Sequence, residues 1–138
     1  PPRSTLFPYT SSSDLEPFSD IKLVHNKKWT IEAIVNVLEN AIKYSPSDST
    51  ITISVIKMEL YTKITIKDEG IGIDSRELND IFKRFYRSKN VENQNGTGIG
   101  LYLTRLILEK ENGNIIVESK LGSGCCFSIF LQNCKSLN

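Results

Sequence analysis

Two stretches of alternation decide most of what this chain can become. In TITISVIKM (50–58) the apolar residues Ile51, Ile53 and Val55 fall at every second position, and in TKITIKD (62–68) Ile64 and Ile66 do the same. A period of two places such residues on one face of a strand. Only a short turn near Glu59 separates the segments, so they read as an antiparallel hairpin with one buried face. A sheet buried on one face needs a cover, and the flanking sequence supplies it as helices.

From Trp29 to about Tyr44 the spacing turns helical, with Ile31, Ile34, Leu38, Ala41 and Ile42 on one side, and Ser45-Pro46-Ser47-Asp48 stops the run. Asp74 with Glu77 reads as a capping box opening a second helix, SRELNDIFKRFYRS, whose Leu78, Ile81, Phe82 and Phe85 share a side. Residues 88–99 are polar and glycine-containing and read as a mobile loop. A third helix from about Gly100 to Glu111 turns Leu103, Leu106 and Ile107 inward and ends at a Gly113 cap. NIIVESKLGSGCCFSIFL closes as a second hairpin around Gly122 and Gly124, and IKLV (21–24) reads as a short strand. The expected class is α+β, a mixed but mostly antiparallel sheet with about three helices on one face.

A length of 138 residues supports one domain. Residues 1–19, rich in Pro, Ser and Thr, read as a linker or a loosely attached arm that Phe7, Tyr9 and Phe18 can dock; 20–133 form the domain and 134–138 a tail. A net charge of +1 gives no case for nucleic acid as a partner. Nothing resembles a bilayer span or a secretion signal. Cys125, Cys126 and Cys134 lack metal-ligand spacing and read as reduced thiols in a cytoplasmic setting, the adjacent pair on opposite faces of a strand. His25, the only histidine, reads as an exposed or capping residue at the entrance to the first helix.

Opposite the apolar side of the first helix, Asn36, Asn40 and Lys43 stand at i, i+4 and i+7, within roughly 60° of one another. Such a strip is often merely wet. It also has chemistry: asparagine carbonyl oxygens suit a hard cation such as Mg²⁺, an adjacent ammonium attracts phosphates, and Tyr44 offers a stacking edge. Further on, DEGIGID (68–74) pairs a carboxylate with glycines that let a flat ligand lie against bare backbone while Asp68 accepts from its amine. In NGTGIGL (95–101), Gly96, Gly98 and Gly100 precede an amphipathic helix, although each helical glycine costs about 1 kcal/mol relative to alanine. Their reason lies outside helix stability.

The order of these features, an N box NVLENAIKYS (36–45), a G1 box DEGIGID (68–74), an F box IFKRFYRS (81–88) and a G2 box GTGIGL (96–101), resembles the catalytic and ATP-binding domain of sensor histidine kinases. That family belongs to a superfamily shared with DNA gyrase, Hsp90 and MutL. The resemblance covers about residues 21–132 and implies a Bergerat-type α/β sandwich with ATP beneath a flexible lid. By matching position it makes Asn40 the principal Mg²⁺ ligand, Asn36 an assisting one and Lys43 a phosphate contact. Tyr44 would flank the adenine and Asp68 accept from its exocyclic amine. Gly70, Gly72 and Ile73 would complete the base pocket, and Gly96, Thr97, Gly98, Ile99, Gly100 and Leu101 would meet the phosphates. Phe82 and Phe85 would anchor the lid. Arg84 or Arg87, with Arg87 nearer the lid, would neutralise charge on the transferred phosphoryl group. Glu39 either polarises the acceptor histidine or is simply exposed.

ATPase members resemble the chain but carry a general-base glutamate where Asn36 stands, and an amide cannot take a proton from water. Transfer to an imidazole is therefore favoured over hydrolysis. The competing readings are a serine kinase of the anti-sigma type and a nucleotide-binding module without transfer activity. No His-Glu/Asp-x-x-Thr-Pro pattern occurs, so the acceptor histidine would stand on a separate dimerisation domain. The chain would be the cytoplasmic part of a membrane-anchored bacterial sensor kinase, monomeric alone and homodimeric at full length, with a response regulator downstream.

Overall fold

In a computed structural model, residues 5–6, 21, 23–86 and 100–133 are described. The elements are β1 (Thr5–Leu6), α1 (Lys27–Tyr44), β2 (Thr50–Lys57), β3 (Tyr61–Lys67), α2 (Gly100–Lys110), β4 (Asn114–Ser119) and β5 (Cys125–Gln132). They build one sheet of order β1-β2-β3-β5-β4. β1 runs parallel to β2, with Thr5 opposite Thr50, and the other pairings are antiparallel. The sheet is thus mixed and mostly antiparallel, and both hairpins form where alternation places them.

The inward residues Ile51, Ile66, Phe127, Ile129, Leu131 and Ile115 are buried against the helices. From α1 the core receives Ala33, Val37 and Ala41, spaced i, i+4 and i+8, while Ile31 is 49% exposed. The buried arc is therefore rotated from the expected one. Small residues there let α1 lie close to α2, where the buried Thr104 hydroxyl donates to the Ala33 carbonyl at 3.3 Å. Ile34, Leu38 and Ile42 pack at the edge of the core. On α2, Thr104, Ile107 and Leu108 are buried, whereas Leu106 is left exposed.

Three expected local structures differ. α1 begins at Lys27, not Trp29, because Asn26 caps it and its side chain accepts from the Trp29 N–H at 3.1 Å. His25 is neither exposed nor the cap: its ring is pinned between Glu111 Oε2 at 3.1 Å and the Gln132 carbonyl at 2.8 Å. The ring thus ties the approach to α1 to the end of β5 through a side chain rather than through strand pairing, and no strand forms at 21, 23 or 24.

The second expected helix is absent among the described residues, which leaves two α-helices rather than three. Asp74 captures the Arg76 N–H, and a short 3-10 turn, Ser75–Glu77, follows. Backbone bonds then recur at i→i−3, from Glu77 to Asp74, Asp80 to Glu77, Lys83 to Asp80 and Tyr86 to Lys83. Asn79 and Asp80 are poor helix formers, and the Glu77 carboxylate is bonded to the Tyr86 hydroxyl instead of folding back as a capping box does. Ile81 and Phe82 are buried by this chain of turns, but Phe85 lies outside the core, 58% exposed with φ +64°.

At the end of α2 the left-handed residue is Asn112 (φ +61°) rather than Gly113. Gly113 is needed for space: a Cβ there would stand 2.2 Å from the Phe130 carbonyl oxygen, while its N–H closes the helix onto Leu108 O at 2.7 Å. No described helix is long and apolar enough to cross a membrane.

Candidate functional site

The polar stripe of α1, the loop after β3, the start of α2 and the turn between β4 and β5 meet at one end of the sheet. Asp68 follows the last residue of β3 and is 5% exposed. Its Oδ1 accepts from the Gly70 N–H at 2.8 Å and from the Cys125 N–H at 3.1 Å. Both bonds go to one oxygen, so Oδ2 remains uncommitted among the described residues. Burial pushes the Asp68 carboxyl above its usual range, and the two N–H donors oppose that rise.

Glycines make this packing possible. A Cβ on Gly70 would lie 2.5 Å from the Tyr44 carbonyl oxygen, so the end of α1 rests directly on the loop. Gly72, at φ +77°, leaves no room for a Cβ, which would stand 1.9 Å from the Lys120 carbonyl oxygen. Gly124 is pressed against the Asp68 carbonyl in the same way, at 2.1 Å. Ile73 is half-buried at the core edge, and its N–H donates to Ser119 Oγ at 2.8 Å.

On α1 the Asn36 amide nitrogen donates to the Gly100 carbonyl at 3.3 Å, which joins the stripe to the first residue of α2. Its amide oxygen accepts no hydrogen bond among the described residues. Asn40, one turn on, is half-buried and free of hydrogen bonds among the described residues. The Lys43 ammonium lies 5.2 Å from the centre of the Tyr44 ring, a cation–π contact that keeps it at the end of the stripe. Glu39 is exposed on the rim. Leu101 is half-buried against the core and Gly100 is exposed.

The remaining expected site residues divide. Arg84 is exposed, its guanidinium stacked 5.0 Å from Phe85 and 5.9 Å from Tyr102, with no described bond to the Asp68 region. Arg87, Gly96, Thr97, Gly98 and Ile99, and the lid expected at 88–99, lie outside the described residues. Sequence reasoning placed the β4–β5 turn but missed its part in the site, to which the hairpin brings the Gly124 backbone from the turn, Ser119 from the end of β4 and the Cys125 N–H from the start of β5. Its Gly122 and Gly124 were legible as turn glycines, but nothing in the string shows which loop they touch. At the far end of α1 a cavity of about 320 Å³ opens among Val24, His25, Lys110, Glu111, Asn112, Gln132 and Asn133. Its histidine, carboxylate and carbonyl are already bonded to one another, so it offers a ligand little.

A family model described as histidine kinase-, DNA gyrase B- and HSP90-like ATPase matches residues 25–134. The adaptive-response sensory kinase SasA of Gloeothece citriformis is 37% identical over 120 residues, covering 86% of this chain and 29% of that protein. Sporulation kinase C of Bacillus subtilis is 34% identical over 100 residues, covering 72% of this chain and 22% of that protein. The chain thus spans less than a third of the length of these curated relatives. Among solved structures, the mycobacterial sensor histidine kinase MprB superposes with a TM-score of 0.75 at 25% identity, over 83% of this chain and 78% of that one. A nucleotide-free catalytic domain of the histidine kinase ThkA shares the fold, with a TM-score of 0.74 at 22% identity over 86% and 76% of the two chains. The chain therefore belongs to the histidine kinase-, DNA gyrase B- and HSP90-like ATPase family, as a catalytic and ATP-binding domain of the sensor histidine kinase type.

Proposed function

We propose that this domain, residues 20–133, positions ATP so that its γ-phosphoryl group passes to a histidine on a separate dimerisation domain of the same kinase. The observation that carries the reading is the Asp68 carboxylate, buried, fixed through one oxygen and left with the other for a donor. Adenine presents an N–H there, and an ionised carboxylate only accepts. Tyr44 flanks the base, while Gly70, Gly72 and Ile73 shape the floor beneath it.

The donor set fits a divalent cation: Asn36 spends its amide nitrogen on Gly100 O, leaving a carbonyl oxygen, and Asn40 offers another. Bound Mg²⁺ would offset phosphate charge at these two residues. Lys43 holds the phosphate chain from the end of the stripe, and the G2 box, from Gly96 to Leu101, brings backbone N–H groups and the positive end of α2 toward it. Arg84 or Arg87 neutralises charge that develops as the bond from phosphorus to the bridging oxygen breaks and the bond to the imidazole nitrogen forms. Glu39, exposed beside Asn40, would polarise the acceptor histidine when the other domain arrives, or serve only as an exposed surface residue. Asn36 cannot act as a base toward water, which favours transfer over hydrolysis. A response regulator would take the phosphoryl group onward, and the whole kinase would be a membrane-anchored homodimer acting on the cytoplasmic side.

The test supplies the histidine-bearing dimerisation segment in trans with Mg·ATP. Acid-labile phosphate on that segment, lost with Asn40→Ala, is the expected result. Inorganic phosphate release without labelling would identify an ATPase, and nucleotide binding with neither product a passive binder.

A further inference from the structure

The Ser119 hydroxyl occupies a point where two distant loops join. It donates to the Gly124 carbonyl at 2.7 Å and accepts from the Ile73 N–H at 2.8 Å. Cys125 Sγ stands 3.2 Å from the same oxygen. Burial pushes that thiol up to about 11, so it keeps its proton at neutral pH. Because the hydroxyl hydrogen is spent on Gly124, the S–H is the donor to Oγ. One donor and two lone pairs are then all used, the full capacity of a serine hydroxyl.

The partners come from both loops that shape the base pocket. Ile73 belongs to the loop after β3, Gly124 to the turn before β5, and Cys125 is the first residue of β5. The loops are also joined by the Gly122 N–H to the Ile71 carbonyl at 2.7 Å and by the Cys125 N–H to Asp68 Oδ1 at 3.1 Å. Any shift of the turn therefore moves a donor that orients the Asp68 carboxylate. We propose that Ser119 is a positioning residue for base selection, locking the β4–β5 turn to the loop 68–74 so that Asp68 Oδ2 meets an amine and repels a carbonyl. The proposal rests on the reading of Asp68 as the acceptor of the base. Adenine carries an amine at the position where guanine carries an acceptor oxygen, so a fixed carboxylate separates the two. A carboxylate free to rotate separates them less.

The experiment is calorimetric titration of the 138-residue chain with ADP and with GDP in the presence of Mg²⁺. Ser119→Ala should bind ADP about tenfold more weakly and lose most of its ADP-over-GDP preference, while amide exchange at Ile73 quickens. Ser119→Thr, which keeps the hydroxyl, should restore both. A wild-type ADP-over-GDP ratio in Ser119→Ala, with faster exchange at Ile73, would overturn the proposal. Should the alanine variant not fold, Ser119→Cys retains a weaker donor and acceptor, and a wild-type ratio there would overturn it equally. Asp68→Asn separates the two levels: unchanged ADP affinity in that variant overturns the base-acceptor reading and this proposal together. Lost affinity in Asp68→Asn beside an unaltered ratio in Ser119→Ala overturns this one alone.

Discussion

The backbone N–H of Cys125 donates to Oδ1 of Asp68 across 3.1 Å, so the first residue of β5 orients the carboxylate that follows β3. That carboxylate is buried, an unfavourable place for a charge, and it is held there by one N–H two residues on, from Gly70, and one far away in sequence, from Cys125. A residue kept under such conditions is expected to serve binding at the expense of stability.

Asp68→Asn tests that balance. Burial raises the folded-state pKa of Asp68 above its ordinary 3.8, so the folded protein holds the proton more tightly than the unfolded chain. Its contribution favours folding at pH below 3.8 and is lost as pH rises through the folded value. An asparagine keeps an oxygen for Gly70 and Cys125 but removes the charge. Urea unfolding at neutral pH should show the variant as stable as the parent or more so, with that part of the acid-range slope gone. ADP affinity should fall at least about tenfold, the loss of a charge-assisted hydrogen bond.

Glycines separate by what surrounds them. Gly72→Ala forces a Cβ into the Lys120 carbonyl at φ +77° and should cost about 3 kcal/mol or more in denaturant unfolding. Gly122→Ala has φ +84° but open space among the described residues, and should cost only about 1 to 2 kcal/mol, the backbone penalty alone. Equal losses would show that the close approach at Gly72 relaxes freely.

Gly100 behaves oppositely. Among the described residues, beyond its chain neighbours and its own helix, nothing lies within 4 Å of where its Cβ would stand. Gly100→Ala should therefore leave the fold unchanged or gain about 0.4 to 1 kcal/mol through a less flexible unfolded chain. Nucleotide affinity should nonetheless drop about fivefold if phosphates approach that backbone, a change calorimetry resolves. A more stable protein with unaltered affinity would remove Gly100 from the phosphate contacts.

Asp74 offers a clean titration. Hydrogen bonds from the Arg76 side chain and N–H hold its carboxyl down at about 2. A depressed folded value contributes stability above 3.8 that is lost as pH falls toward 2. In Arg76→Ala the Asp74 carboxyl carbon, followed by NMR, should titrate closer to 3.8, and stability should become less sensitive to pH in that window.

Alternation at Ile51, Ile53, Val55, Ile64 and Ile66 was sufficient to read the first hairpin, because a period of two has one structural meaning when one face is buried. The N-box stripe and the Asp68 loop stood out in the sequence because amides and glycines are unusual there, yet Gly70 and Gly72 also have a packing reason, the close approach of the Tyr44 and Lys120 carbonyls, that no single stretch of sequence displays. The segment after Asp74 misled, since Leu78, Ile81 and Phe82 have helical spacing that a succession of i→i−3 turns satisfies as well. Ala41 was read on the buried side of α1, but the rotation that also buries Ala33 and Val37 was illegible because it is set by close packing on α2, a partner some seventy residues away in sequence. Ser119 was invisible for the same reason, since its partners Ile73, Gly124 and Cys125 lie in a loop, a turn and the start of β5 whose meeting only the sheet order decides.

That order has a consequence for the history of each molecule. β5 is the last described strand in the chain, yet it lies between β3 and β4, in the interior of the sheet. As the polypeptide leaves the ribosome, β2 and β3 can zip together early, but β4 has no neighbour to hold it until β5 arrives, and Asp68 waits for its donor from Cys125. Asp68 is therefore fully held only after β5 has been made, and a chain cut short before residue 125 would display an unpaired apolar sheet edge to its surroundings.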